Sequence, residues 1–245
     1  MTQVLERAAS AGARGKAPPT PRRRPLPLGT IATVLALVPL ANIAFDTATG
    51  GLGVEPVEAL VRRTGWWGLT LLVATLSVTP VRRLTGWNRI IQIRRPLGVT
   101  AFVYTLLHFV IYVAIKQWFA LSYIIEDILE RPFITAGFAA LCMLVPLAAT
   151  STRNSIRRLG GKRWQRLHRL VYPAAMLGVL HYYWLVKADT RPPLLYAAIL
   201  GTLLLLRLEL PGRVPARRRS SPTAVAAKRP APPSSLALPE NLDGA

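Results

Sequence analysis

The chain has 245 residues, is 51% hydrophobic and carries a formal net charge of +20. Its apolar residues lie in long blocks separated by basic clusters, a distribution that fits a membrane protein rather than a soluble core. That distribution also excludes nucleic acid as a partner, since a binder needs a basic stripe interleaved with aromatics on a soluble module.

Residues 1–27 are rich in Ala, Pro and Arg and end on Arg22, Arg23 and Arg24. Nothing there can bury a core, so a disordered basic cytoplasmic tail is expected. Residues 211–245, with Arg217, Arg218 and Arg219 followed by Pro, Ala and Ser, are expected to form a second such tail.

Between the tails lie six apolar spans, at about 28–46, 66–81, 97–116, 132–150, 167–186 and 192–210. Each approaches the ~20 residues needed to cross ~30 Å of hydrocarbon. The second is the shortest. A basic stretch precedes the first span, but no small-x-small cleavage site follows Phe45 and Asp46, so a retained helix is expected rather than a signal peptide. The segment from Gln117 to Arg131 has Trp118, Phe119, Leu121, Ile124, Ile125, Ile128 and Leu129 at helical spacing. It fits an interfacial helix or an ordinary amphipathic connection. Cys142, the single cysteine, lies in the fourth span and reads as a small buried hydrophobe. With one cysteine, an intrachain disulfide, C-x-x-C-H haem attachment and a Cys-ligated iron–sulfur cluster are all excluded.

Basic residues in the connections set an orientation. The N-terminal tail, the second and fourth connections and the C-terminal tail hold 23 Lys and Arg, against six in the other three connections. Those other connections also carry Glu55, Glu58, Glu126, Asp127 and Glu130. The asymmetry alternates at every crossing, which predicts an all-α membrane protein: a six-transmembrane-helix bundle with both termini cytoplasmic. Trp66, Trp67, Trp118, Trp164 and Trp184 fall near span ends, where an indole favours the headgroup region.

The three histidines are the candidate chemistry. His108 lies well inside the third span and His181 well inside the fifth, and an ionisable residue within a bilayer by default suggests function. His108 lies about 16 Å, and His181 about 21 Å, along helices that run in the same direction. Two imidazoles at one depth fit the two axial positions of a haem iron, and bis-imidazole ligation suits electron transfer. The plain alternative is a pair of neutral histidines bonded to neighbouring helices. Any haem must be non-covalent, of b type. His168 lies about 20 Å of helix from His181 and turns ~220° away from it. It fits a second haem, a quinone or flavin contact, or an interfacial histidine beside Arg166 and Arg169. No H-E-x-x-H motif, Ser–His–Asp arrangement or phosphate-cradling glycine loop is present in the sequence.

Three runs, RRPLGVTAFVYTLLH from Arg94 to His108, WQRLHRLVY from Trp164 to Tyr172 and HYYW from His181 to Trp184, resemble the MsrQ (YedZ) family. The resemblance covers residues 29–210 and includes the order of all three histidines. It implies a ferric-reductase-like transmembrane domain in the bacterial inner membrane, with haem b and FMN as cofactors. His108, His181 and His168 fall on the family's haem-linked positions. The family's role is that of an electron-transfer subunit. It draws on the quinone pool and passes electrons to a periplasmic molybdopterin subunit, MsrP, which repairs methionine sulfoxide. The reductase active site would then be on the partner. The competing expectations are a cytochrome b subunit of another periplasmic oxidoreductase, a metalloreductase, and a haem-free membrane scaffold. Arg94, Arg95, Arg163 and Arg169 read as orientation residues, or as partners for a flavin phosphate, a haem propionate or membrane lipid.

Overall fold

A computed structural model describes residues 28–209; the two expected tails lie outside them. Among the described residues there is no strand. The long helices are α1 (Leu28–Thr49), α2 (Pro56–Thr85), α3 (Ile91–Ile111), α5 (Pro132–Ala149) and α9 (Arg191–Glu209). Between them lie the shorter α4 (Leu121–Glu130), α6 (Arg153–Leu159), α7 (Gly161–Leu167) and α8 (Val171–Leu185).

Five of these elements are long and apolar enough to cross a membrane: α1, α2, α3 with its flanking turns, α5 and α9. The element expected at 167–186 is different. A 3-10 turn over His168–Leu170 separates α7 from α8, and α8 has 15 residues. At 1.5 Å per residue it rises about 22 Å, less than the hydrocarbon thickness.

The second span departs most from expectation. Rather than the shortest, α2 is the longest helix, with 30 residues. Its ends carry arginines that look like connection residues, so hydropathy alone clips it. Local chemistry marks the true limits. Pro56 occupies the first turn, where its missing N–H costs nothing. At the other end Gly86 adopts φ +70° and donates its N–H to the Arg82 carbonyl, closing the helix in the left-handed conformation that glycine tolerates. Arg62 and Arg63 therefore sit within α2, and Arg63 pairs with Asp46 at the end of α1. Trp66 and Trp67 also lie well inside α2, packed edge to face, not at its end.

The core runs along α2, with Leu71, Leu72 and Leu76 meeting Ala101 and Tyr104 of α3, Ala174 and Ala175 of α8, and Leu144 of α5. α2 and α3 pack antiparallel at close range. Gly68 faces Thr105 and Gly98 faces Thr75, so small residues let the backbones approach. Large apolar side chains such as Val34, Leu35, Phe45, Leu195 and Leu205 point outward, as lipid contact requires. Cys142 also points outward from α5, so it is an exposed apolar-face residue rather than a buried one.

Tyr104 is fully buried and donates its hydroxyl to the Ala36 carbonyl at 3.0 Å, tying α1 to α3. Tyr104→Phe is expected to lower the apparent unfolding free energy by about 1 kcal/mol, the usual net worth of such a bond. Titration with sodium dodecyl sulfate in mixed micelles measures it.

Candidate functional site: a paired-histidine centre

His108 comes from α3 and His181 from α8, and the bundle brings their rings together with centroids 6.1 Å apart and planes at 82°. Each ring is held in the same way from its own neighbouring helix. His108 Nδ1 lies 2.8 Å from the Val61 carbonyl of α2. His181 Nδ1 lies 2.6 Å from the Phe133 carbonyl of α5. A carbonyl only accepts, so Nδ1 donates in both cases. In the neutral imidazole this leaves the Nε2 lone pair for another partner.

One turn beyond each carbonyl is a glycine on which the ring lies. A Cβ at Gly65 would meet His108 Cε1 and Nδ1 at 2.9 Å, and a Cβ at Gly137 would meet His181 Nδ1 at 2.8 Å. The two halves, Val61 with Gly65 and Phe133 with Gly137, thus repeat one device: a carbonyl to orient the ring and a missing side chain to admit it. Sequence reasoning missed both glycines and both carbonyls. Their signal is a glycine four residues after the acceptor on a helix facing a histidine helix, which is visible only once the helix pairing is known.

His168 is elsewhere. It stacks on Trp164 with centroids 3.9 Å apart, and its Nε2 is 3.2 Å from the Thr150 hydroxyl. The Thr150 hydroxyl donates to the Pro146 carbonyl at 2.6 Å, so it accepts from His168, whose Nε2 is thereby the donor. Trp164 donates its indole N–H to the Thr150 carbonyl at 2.9 Å, which closes the cluster. His168 therefore presents the opposite ring nitrogen from the other two histidines. Of the arginines singled out in the sequence, Arg94 is half-buried, while Arg95, Arg163 and Arg169 are exposed.

Beyond the pair, α3 passes into a π turn over Tyr112–Lys116. There Tyr112 donates to the buried Asp127 at 2.6 Å, and Arg131 pairs with the same carboxylate at 2.9 Å. These contacts fix α4 against the end of the bundle. The segment from Gln117 to Arg131, which by sequence fits either an interfacial helix or an amphipathic connection, is helical over Leu121–Glu130, as α4, and Asp127 on it is buried.

Residues 64–179 match the family model described as the ferric reductase like transmembrane component. Relatives similar over most of the chain carry the name protein-methionine-sulfoxide reductase heme-binding subunit MsrQ. The one from Rhodospirillum rubrum is 52% identical over 193 residues, covering 78% of this chain and 90% of the relative. The chain belongs to the MsrQ family. Other MsrQ relatives agree: that from Deinococcus radiodurans is 47% identical over 80% of this chain and 99% of its own length. That from Herminiimonas arsenicoxydans is 46% identical over 71% of this chain and 81% of its own. With five membrane-length apolar helices and a transmembrane family match, this MsrQ member is a multi-pass membrane protein.

Proposed function

We propose that this chain is the haem b-binding, electron-transferring membrane subunit of a protein-methionine-sulfoxide reductase system, with His108 and His181 as the axial ligands. The observation that carries this reading is the paired-histidine geometry. Two imidazoles bound to one metal at about 2 Å each place their ring centres on the order of 6 Å apart, and these rings are 6.1 Å apart. The donor set fits as well, since both rings turn Nδ1 outward to a carbonyl and keep Nε2 for the metal. A bis-imidazole haem supplies a one-electron centre with no open coordination site. The protein's part is to orient the two rings, to keep lipid and water from between them, and to hold the pair at one end of the bundle.

The basic asymmetry supports cytoplasmic termini and six crossings in the inner membrane, with α7, the His168 turn and α8 together forming the fifth. The histidine pair then lies toward the periplasm, facing a molybdopterin subunit of the MsrP kind. Quinone as donor and FMN as a second cofactor complete the reading and rest on the family resemblance. The decisive measurement is a reduced-minus-oxidised absorption spectrum of the full chain purified in mild detergent. A low-spin b-type signal with pyridine-extractable haem is expected, and a folded chain expressed with ample haem that shows none would overturn the proposal.

A further inference from the structure

Helix α4 has more apolar surface than the bundle uses. At ~100° per residue its side chains divide into three sectors roughly 120° apart. Ile124 and Asp127 form a buried sector. Glu126 and Glu130 form an exposed acidic sector. Leu121, Ile125 and Leu129, each four residues after the last, form the third sector, which is apolar yet 67%, 48% and 77% exposed. The approach to α4 extends this surface. Trp118 and Phe119 have φ +48° and +58°, the only positive values outside glycine among the described residues. Left-handed backbone costs such residues roughly 1–2 kcal/mol each. The turn is held by Gln117, whose N–H donates to the Tyr112 carbonyl at 3.1 Å, and by Phe119, whose N–H donates to the Val113 carbonyl at 3.0 Å. It leaves both rings standing outward, 83% and 71% exposed.

A bilayer boundary fits this surface on three counts. At about 15 Å long, α4 is too short to cross the hydrocarbon but can lie flat upon it. The stripe carries on from the lipid-facing edge of α3, where Val103, Leu106 and Val110 point outward and lead to the exposed Ile115 of the π turn. The partition itself is that of an interfacial helix: apolar and aromatic side chains on one side, acidic ones on another. A soluble protein partner would require no continuity with the lipid-facing edge. The helix is also tied to both halves of the histidine centre. Asp127 accepts from Tyr112, one turn beyond His108, and the Thr135 hydroxyl of α5 donates to the Ile128 carbonyl. Two residues before Thr135 is Phe133, whose carbonyl holds His181.

We propose that α4 is an interfacial anchor: Leu121, Ile125 and Leu129, with Trp118 and Phe119, rest in the boundary between lipid headgroups and acyl chains. The anchor fixes how deep the histidine-pair end of the bundle sits, whether or not that pair holds haem. The test uses the full chain with Cys142→Ala, in nanodiscs of phosphatidylcholine and phosphatidylglycerol. Single cysteines are introduced by Leu121→Cys, Ile125→Cys, Leu129→Cys, Glu126→Cys and Glu130→Cys, and each is labelled with bimane. All five side chains point outward, so the fold should tolerate the changes. Quenching is measured with a lipid carrying a nitroxide near its headgroup and, separately, with iodide in the water. Val103→Cys, on the lipid-facing edge of α3, is the reference for full lipid contact. At positions 121, 125 and 129 the nitroxide lipid is expected to quench at least about threefold more than at 126 and 130, with iodide showing the reverse order. Strong iodide quenching at all five positions would mean that the stripe faces water and would overturn the anchor. Protection of the stripe from both quenchers would overturn it equally, by showing that protein covers it, whether a second copy, another segment of this chain or a bound partner.

Discussion

If His108 and His181 are the axial ligands, as proposed, haem b content is expected to fall at least tenfold when either is replaced by alanine, because each ring would then supply one of two axial bonds. The loss should be equal for the two variants, since the two halves of the centre are built alike. Each ring is half-buried at a helix contact, and removing it vacates the space above a glycine without leaving a charge unpaired. The helical content should therefore survive, as circular dichroism would show. Because the vacated space matches an imidazole, free imidazole at millimolar concentration should restore part of the low-spin spectrum in both variants. His168→Ala makes the contrast. It removes a ring that stacks on Trp164 and bonds Thr150, so the pair's spectrum should be unchanged. An undiminished signal in His181→Ala would remove the axial assignment. Loss of the same signal in His168→Ala alone would transfer it.

What the sequence makes legible, and what it does not, follows from the range of the forces involved. Apolar runs and arginine counts report on solvent, so the long apolar helices and the amphipathic α4 could be anticipated from local pattern. The ends of α2 could not, because its terminal turns leave the apolar zone while the backbone continues as helix from Pro56 to Gly86. The break at His168 was hidden for a related reason. A 3-10 turn keeps the apolar pattern but shortens the α-helical run, and hydropathy is blind to the difference. The histidine pair could be anticipated because depth along a helix is arithmetic. Its supports could not, because Val61 and Phe133 act through backbone carbonyls, and Gly65 and Gly137 act through what they lack. Arg207 shows the same limit. It sits at a helix end like any orientation residue, and only the packing shows its Nε enclosed without an acceptor among the described residues and one terminal nitrogen on the Leu76 carbonyl.

Gly65→Ala and Gly137→Ala are expected to be nearly as damaging to the centre as loss of a ligand, although both add only a methyl group. In an ordinary helix the change would help, since alanine is favoured over glycine by about 1 kcal/mol. Here the new Cβ would stand 2.9 Å from His108 at position 65 and 2.8 Å from His181 at position 137, closer than such contacts occur. The helix backbone cannot yield without opening the packed interface, so the ring must move. The ring, however, is fixed through Nδ1 to a carbonyl one turn away on the same helix. Moving it gives up that bond, worth about 1 kcal/mol, and turns Nε2 off its axis. Outer supports of metal-binding histidines typically contribute 10- to 100-fold in metal affinity. A drop of at least about tenfold in haem occupancy is therefore expected, or a shift from low-spin to mixed-spin absorption where haem is retained. Gly201→Ala is the control, because its Cβ would enter open space on α9. It should preserve both occupancy and spin state. Wild-type occupancy and an unchanged spectrum in Gly137→Ala would mean that the ring does not need the glycine. In that case the repeated carbonyl-and-glycine device would be packing alone, with no part in holding the metal.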